Sequence, residues 1–211
     1  TVTETGISVT AWSFLPKTEP VEPTEWLGGI QFLPLPETVY APLEGSKPMV
    51  NVPREKTYHV LSMRPKYDPD AEHLRLDGIN DGISHGGDGN AIVRLTAQGK
   101  SWLVVGKWGS SSMKSQNAVI ALRDGQMAAQ PVTLCSLECA ADLPSCGLVQ
   151  SVMSEYNGTD WARNIIWLKG GYFVVADVMR VREAGDFSFL CRWRTSPGEL
   201  EGSVFHALSD D

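Results

Sequence analysis

From Thr57 onward the chain is cut by glycine-containing turns that recur about every 8–12 residues, the spacing of an antiparallel sandwich. Gln98-Gly99 separates two apolar runs, Lys169-Gly170-Gly171 separates two more, and Arg182-Glu183-Ala184-Gly185 follows the second of these. No segment carries apolar residues at the helical period of roughly 3.6 residues. The fold class read from this pattern is all-β: a large antiparallel β-sandwich (a supersandwich) with a Pro-rich extended N-terminal segment.

The expected strands are Tyr58–Arg64, His73–Asp77, Ala91–Ala97, Lys100–Val105, Asn117–Arg123, Val132–Glu138, Gly147–Tyr156, Trp161–Leu168, Tyr172–Val181 and Asp186–Arg194. Asn164–Leu168 and Tyr172–Asp177 are nearly continuous in apolar residues, which predicts strands covered on both faces. Residues 1–56 hold eight prolines interleaved with Trp12, Phe14, Trp26, Phe32 and Tyr40. That mixture reads as a segment wrapping a domain surface, with short extended pieces at Gly6–Phe14 and Gly29–Leu33. Residues 57–211 form the sandwich domain. The threonine start and the Leu208–Asp211 end are those expected of a piece cut from a longer protein.

With 211 residues the chain is long enough to bury a sizeable core. Its net charge of −7 and its lack of a basic run argue against nucleic acid as a partner, since phosphate binding needs clustered cations. A local basic cleft is still compatible with that charge. No apolar run approaches the roughly 20 residues of a membrane-spanning helix, so no membrane partner is expected. The four cysteines, Cys135, Cys139, Cys146 and Cys191, lack zinc-ligand spacing. A disulfide within the Cys135–Cys146 loop and free buried thiols are both compatible with their positions. Asn157-Gly158-Thr159 is a glycosylation sequon, a triplet common by chance.

The chemistry-bearing segment is Ser84-His85-Gly86-Gly87-Asp88-Gly89-Asn90, a glycine-rich turn placed just before a strand. Such a turn can aim polar side chains into a cleft while letting a ligand approach the backbone. His85 as a general base would need Asp88 to orient it and an acid partner. Trp108 beside Lys107 offers an aromatic face for a sugar ring, and Arg64, Arg94 and Lys107 suit carboxylates. His59, His73 and His206 read as packing or surface residues.

Thr57-Tyr58-His59, Arg64, Tyr67-Asp68-Pro69-Asp70, His73–Gly78, the SHGGDGNAI turn, Trp102-Leu103-Val104, Gln116-Asn117-Ala118-Val119 and Arg163–Asp177 together resemble the C-terminal β-sandwich domain of the heparinase II/III-like polysaccharide lyases. The resemblance implies an upstream (α/α) toroid, an acidic polysaccharide in the cleft between the two, and secretion or a periplasmic location. It also implies β-elimination by a Tyr or His base, with Asn, His or Arg neutralising the enolate, and a structural zinc held by two histidines and an aspartate. This chain departs from the pattern: Val105 stands where an Asp belongs, Trp108 where a Tyr belongs, and Gln116 where a His belongs. No zinc or other cofactor is therefore expected.

The resulting expectation is a non-catalytic sandwich domain of a lyase-like protein that contacts acidic polysaccharide through Asp88, Asn90, Arg64, Lys107 and Trp108. An active lyase using His85 and Tyr67, and a structural domain without sugar affinity, are the alternatives.

Overall fold

The computed structural model describes residues 28–35, 52–80, 88–105, 113–128 and 134–207, together with the backbone pairing of two short N-terminal strands. The strands in chain order are Val2–Thr3 (β1), Gly6–Ile7 (β2), Gly29–Leu33 (β3), Val60–Arg64 (β4), His73–Asp77 (β5), Ile92–Ala97 (β6), Lys100–Leu103 (β7) and Val119–Arg123 (β8). They continue with Gln126–Met127 (β9), Ser136–Asp142 (β10), Cys146–Tyr156 (β11), Thr159–Leu168 (β12), Tyr172–Val181 (β13), Phe187–Cys191 (β14), Gly198–Glu201 (β15) and Val204–Ala207 (β16). Among the described residues there is no α-helix, only single 3-10 turns at Arg54–Lys56 and Met113–Ser115.

Two antiparallel sheets form the sandwich. One runs β3-β4-β5-β6-β7 and the other β10-β11-β12-β13. A third sheet, β14-β8-β9, extends the first, because Ile92 N–H donates to Asn117 O and Val104 N–H donates to Arg194 O. β3 lies inside the segment expected to wrap the domain, yet it pairs with β4 over its whole length. That part of the proline-rich region is a strand of the sandwich.

Period-two alternation decides what is buried. Leu61, Met63, Leu74, Leu76 and Ile92 point inward from one sheet, and Val149, Met153, Trp161, Ile165 and Trp167 from the other, all in one core. Each buried tryptophan removes roughly 200 Å² from water, on the order of 5 kcal/mol. Tight turns close the hairpins. Gln98 and Gly99 both have positive φ (56° and 70°), as do Asp124-Gly125 (50° and 76°) and Asn157-Gly158 (53° and 82°). Two consecutive residues of positive φ make the turn that matches strand twist. The sequence reading singled out only the first of these as a hairpin.

Three expectations are corrected. β12 and β13 are covered on one face only: Ile165 and Trp167 are buried, whereas Ile166, Leu168, Tyr172, Val174 and Val178 are exposed. Val132–Glu138 is displaced, since the strand is Ser136–Asp142 and Leu134 makes only an isolated bridge to Ile79. Finally, Gly198–Glu201 and Val204–Ala207 pair as a hairpin that the pattern did not suggest. All four cysteines are free thiols, with Cys135 enclosed in the core and Cys139 and Cys191 exposed.

Candidate functional site

Two polar clusters arise from the same alternation, one between the sheets and one on the outer face of the five-stranded sheet. The inner cluster is built on Arg163, the one charged residue among the inward positions of β12. Its side chain is fully buried, and four of its five N–H donors are engaged. Nε and Nη2 donate to the two carboxylate oxygens of Asp177 at 2.8 and 2.9 Å, and Nη1 donates to Asn90 O and Asn117 O at 2.9 and 2.8 Å. The guanidinium also lies over the Trp161 ring at 4.7 Å, and Trp161 Nε1 donates to Asp177 Oδ1 at 2.8 Å.

Around this hub the neighbouring groups are brace residues. Asn117 Nδ2 donates to Ile92 O and Val104 O, and Asn117 Oδ1 accepts from Arg194 N–H. Asn90 takes a positive φ of 60° to close the turn into β6, and its Nδ2 reaches Trp161 O. Burial holds the Cys135 thiol far above its usual range, reinforced by the charge of nearby Asp88. Tyr58 is likewise raised, chiefly by burial, and its hydroxyl shares a 2.6 Å hydrogen bond with Ser151 across the core. Neither is a nucleophile or base at neutral pH.

The outer cluster is cationic. β4 turns Ser62 and Arg64 away from the core, β5 turns His73 and Arg75, and β6 turns Arg94 and Thr96. Ladder register sets Ser62 beside Arg75, Arg75 beside Arg94, and His73 beside Thr96. Ser62 Oγ and His73 Nε2 are hydrogen-bonded at 3.1 Å. His73 is pushed down to about 4, first by burial and then by Arg64, Arg94 and Arg75. It is neutral at physiological pH, chiefly because it is buried, with the three arginines adding to the effect. The Arg64 guanidinium stacks over the Tyr67 ring at 4.8 Å.

Carboxylates among the described residues near this patch are partly engaged elsewhere. Arg75 Nη2 meets Asp77 Oδ1 at 3.2 Å, Asp68 is held by Lys66 at 2.7 Å, and Glu72 is turned to Trp167 Nε1 and Gly170 N–H. Arg94 is exposed and, among the described residues, has no carboxylate partner. Guanidiniums at strand spacing suit planar oxyanions, since each can present two parallel donors.

The residues anticipated as a site thus fall into three groups. Arg64 and Tyr67 come together on the cationic face. Asp88 and Asn90 belong to the inner cluster, and Asn90 has no exposed surface through which to touch a polysaccharide. His85, Lys107 and Trp108 lie outside the described residues. His73 and Arg75 were not anticipated, although the alternation His73-Leu74-Arg75-Leu76 carries the signal once the apolar residues are assigned inward. Arg163 and Asp177 were quoted only as part of the resemblance; one arginine at an inward position of an apolar strand was the available sign.

The zinc that the resemblance implies does not fit the described residues, outside which His85 lies. Gln116 is buried with its Oε1 unpartnered, and an amide oxygen is a poor zinc ligand. Among the described residues no three His, Cys, Asp or Glu side chains are close enough to hold a metal. No family model, curated protein or solved structure matches this chain.

Proposed function

We propose that this chain is a non-catalytic β-sandwich domain that binds an acidic polysaccharide through the outer face of β4, β5 and β6. One observation carries the reading: Arg64, Arg75 and Arg94 gather around a neutral His73 in a chain whose net charge is −7. Collecting cations on one face costs mutual repulsion, which an anionic ligand relieves. Tyr67, stacked beneath Arg64, supplies an apolar edge for the C–H surface of a sugar ring.

Isothermal titration of the chain with oligogalacturonate and with heparin-derived oligosaccharides tests this directly. Both should bind at low salt, weaken as salt rises, and weaken at least about tenfold in Arg94→Ala, the loss of one charge-assisted contact. Neutral dextran oligosaccharides of the same length should not bind. Equal affinity for dextran, or no heat with either polyanion, would refute the reading.

A second reading, an active lyase using His85 and Tyr67, draws on one contact. Arg64 lies over the Tyr67 ring, which places a cation next to the tyrosine that such a reaction would use. Ultraviolet absorbance from an unsaturated uronate product, lost in Tyr67→Phe, would select it over simple binding.

A further inference from the structure

Among the described residues β13 is the outermost strand of its sheet, and Arg180 and Asp177 are the only charged residues along it. Its ten residues pair with β12 in unbroken register, with no bulge, and contain no proline or lysine. Its outward side chains are apolar and exposed, with Tyr172 at 61%, Val174 at 44% and Val178 at 55%. They continue into Leu148, Ile166 and Leu168, which share the same rows: Leu148, Ile166 and Val174 in one, and Leu168 beside Tyr172 in the next. A long, unbroken and largely apolar edge of this kind is a template for another strand.

We infer that two copies of this chain pair antiparallel through β13, about a two-fold axis at Ala176, to join two four-stranded sheets into one of eight strands. The occupant follows from the residues themselves. In an antiparallel pair of identical strands the numbers of facing residues sum to a constant, and matching faces require that sum to be even. The axis at Ala176 sets Tyr172 against Arg180 of the second copy, an aromatic ring against a guanidinium. It sets Phe173 against Met179, a ring against a thioether, and Val174 against Val178.

The neighbouring registers are worse. An axis at Asp177 brings two carboxylates face to face, and one at Val175 leaves Arg180 opposite Gly170, beyond the strand. The self-pairing therefore matches the only outward charge of β13 with the only outward aromatic, and does so twice by symmetry. The face so formed is separate from the arginine cluster of β4–β6.

Sedimentation equilibrium of the full chain at micromolar concentration should give about 46 kDa, twice the 23.1 kDa of the monomer. Ala176→Lys puts two ammonium groups opposite each other on an exposed position and should yield monomer with an unchanged far-UV spectrum. Tyr172→Arg should also dissociate the pair, by facing Arg180, and adding Arg180→Glu should restore it. A monomeric wild-type chain overturns the proposal, as does a dimer indifferent to these three variants. A monomer whose β13 amides resist hydrogen exchange overturns it as well, since a segment of the chain itself would then hold the edge.

Discussion

Arg163 and Asp177 are direct partners in the β12–β13 ladder, and their side chains meet in a two-pronged ion pair that is sealed from solvent on the arginine side. The pair is the anchor from which Asn90 and Asn117 are held, so its loss is felt in two loops as well as in one sheet.

Arg163→Met should destabilise the chain by about 3–5 kcal/mol, the cost of leaving a carboxylate and two carbonyls without their donor. Asp177→Asn should cost a similar amount, because it leaves the guanidinium buried with only one neutral acceptor on that side. Urea midpoints measured for both variants check this. A shift of less than about 1 kcal/mol in either would show that the hub is dispensable.

Acid should weaken the fold through His73. Its folded value lies near 4, below the ordinary 6.5, so between these values the unfolded chain binds the extra proton and the folded chain does not. Stability is therefore fully present above about 6.5 and falls as pH drops toward 4, by at most about 3 kcal/mol from this residue. His73→Gln should flatten that part of the stability profile, measured by thermal melts across the window. A bound polyanion should favour the protonated ring and shift its titration, followed by NMR, upward.

The Asn157-Gly158-Thr159 sequon is a turn element. Asn157 Nδ2 donates to Ala121 O and Gln126 O, each at 3.0 Å, and Thr159 is buried with its hydroxyl on Tyr156 O. Asn157→Ala should cost about 1–2 kcal/mol, from two lost hydrogen bonds and a side chain less tolerant of positive φ. Mass spectrometry of folded chain offered to an oligosaccharyltransferase should show Asn157 unmodified.

Gly78 allows the backbone to pass over Tyr58. A Cβ there would lie 2.2 Å from Tyr58 O and 2.8 Å from its ring. Gly78→Ala should therefore destabilise by more than about 2 kcal/mol, because the obstacle is backbone and a fully enclosed ring. Gly125→Ala, with open space around it, should show only the smaller strain of its positive φ, and the difference between the two melting temperatures measures the clash.

Three expected stretches match observed strands to the residue, Gly29–Leu33, His73–Asp77 and Tyr172–Val181, although the first was read as part of a wrapping segment and the last as covered on both faces. Elsewhere the partner decided. Ala140, Ala141 and Asp142 are weak strand formers that are extended because Val149, Leu148 and Gly147, respectively, face them. Asn117 looked like the first residue of β8, but its side chain occupies three backbone groups and the ladder begins at Val119. The cationic face was half visible, through Arg64 and Arg94. It became a cluster only when register placed Arg75 and His73 between them, and register depends on residues remote in sequence.

The wiring of Arg163 also bears on the speed at which the fold opens and closes. Asn90 and Asn117 lie 73 and 46 residues away along the chain, so their bonds to Arg163 require closure of long loops. Contacts of that separation complete after the barrier is crossed when hairpins such as β12–β13 form first. Removing them should then leave the refolding rate nearly unchanged and accelerate unfolding, which makes Arg163 a determinant of how long the native state persists.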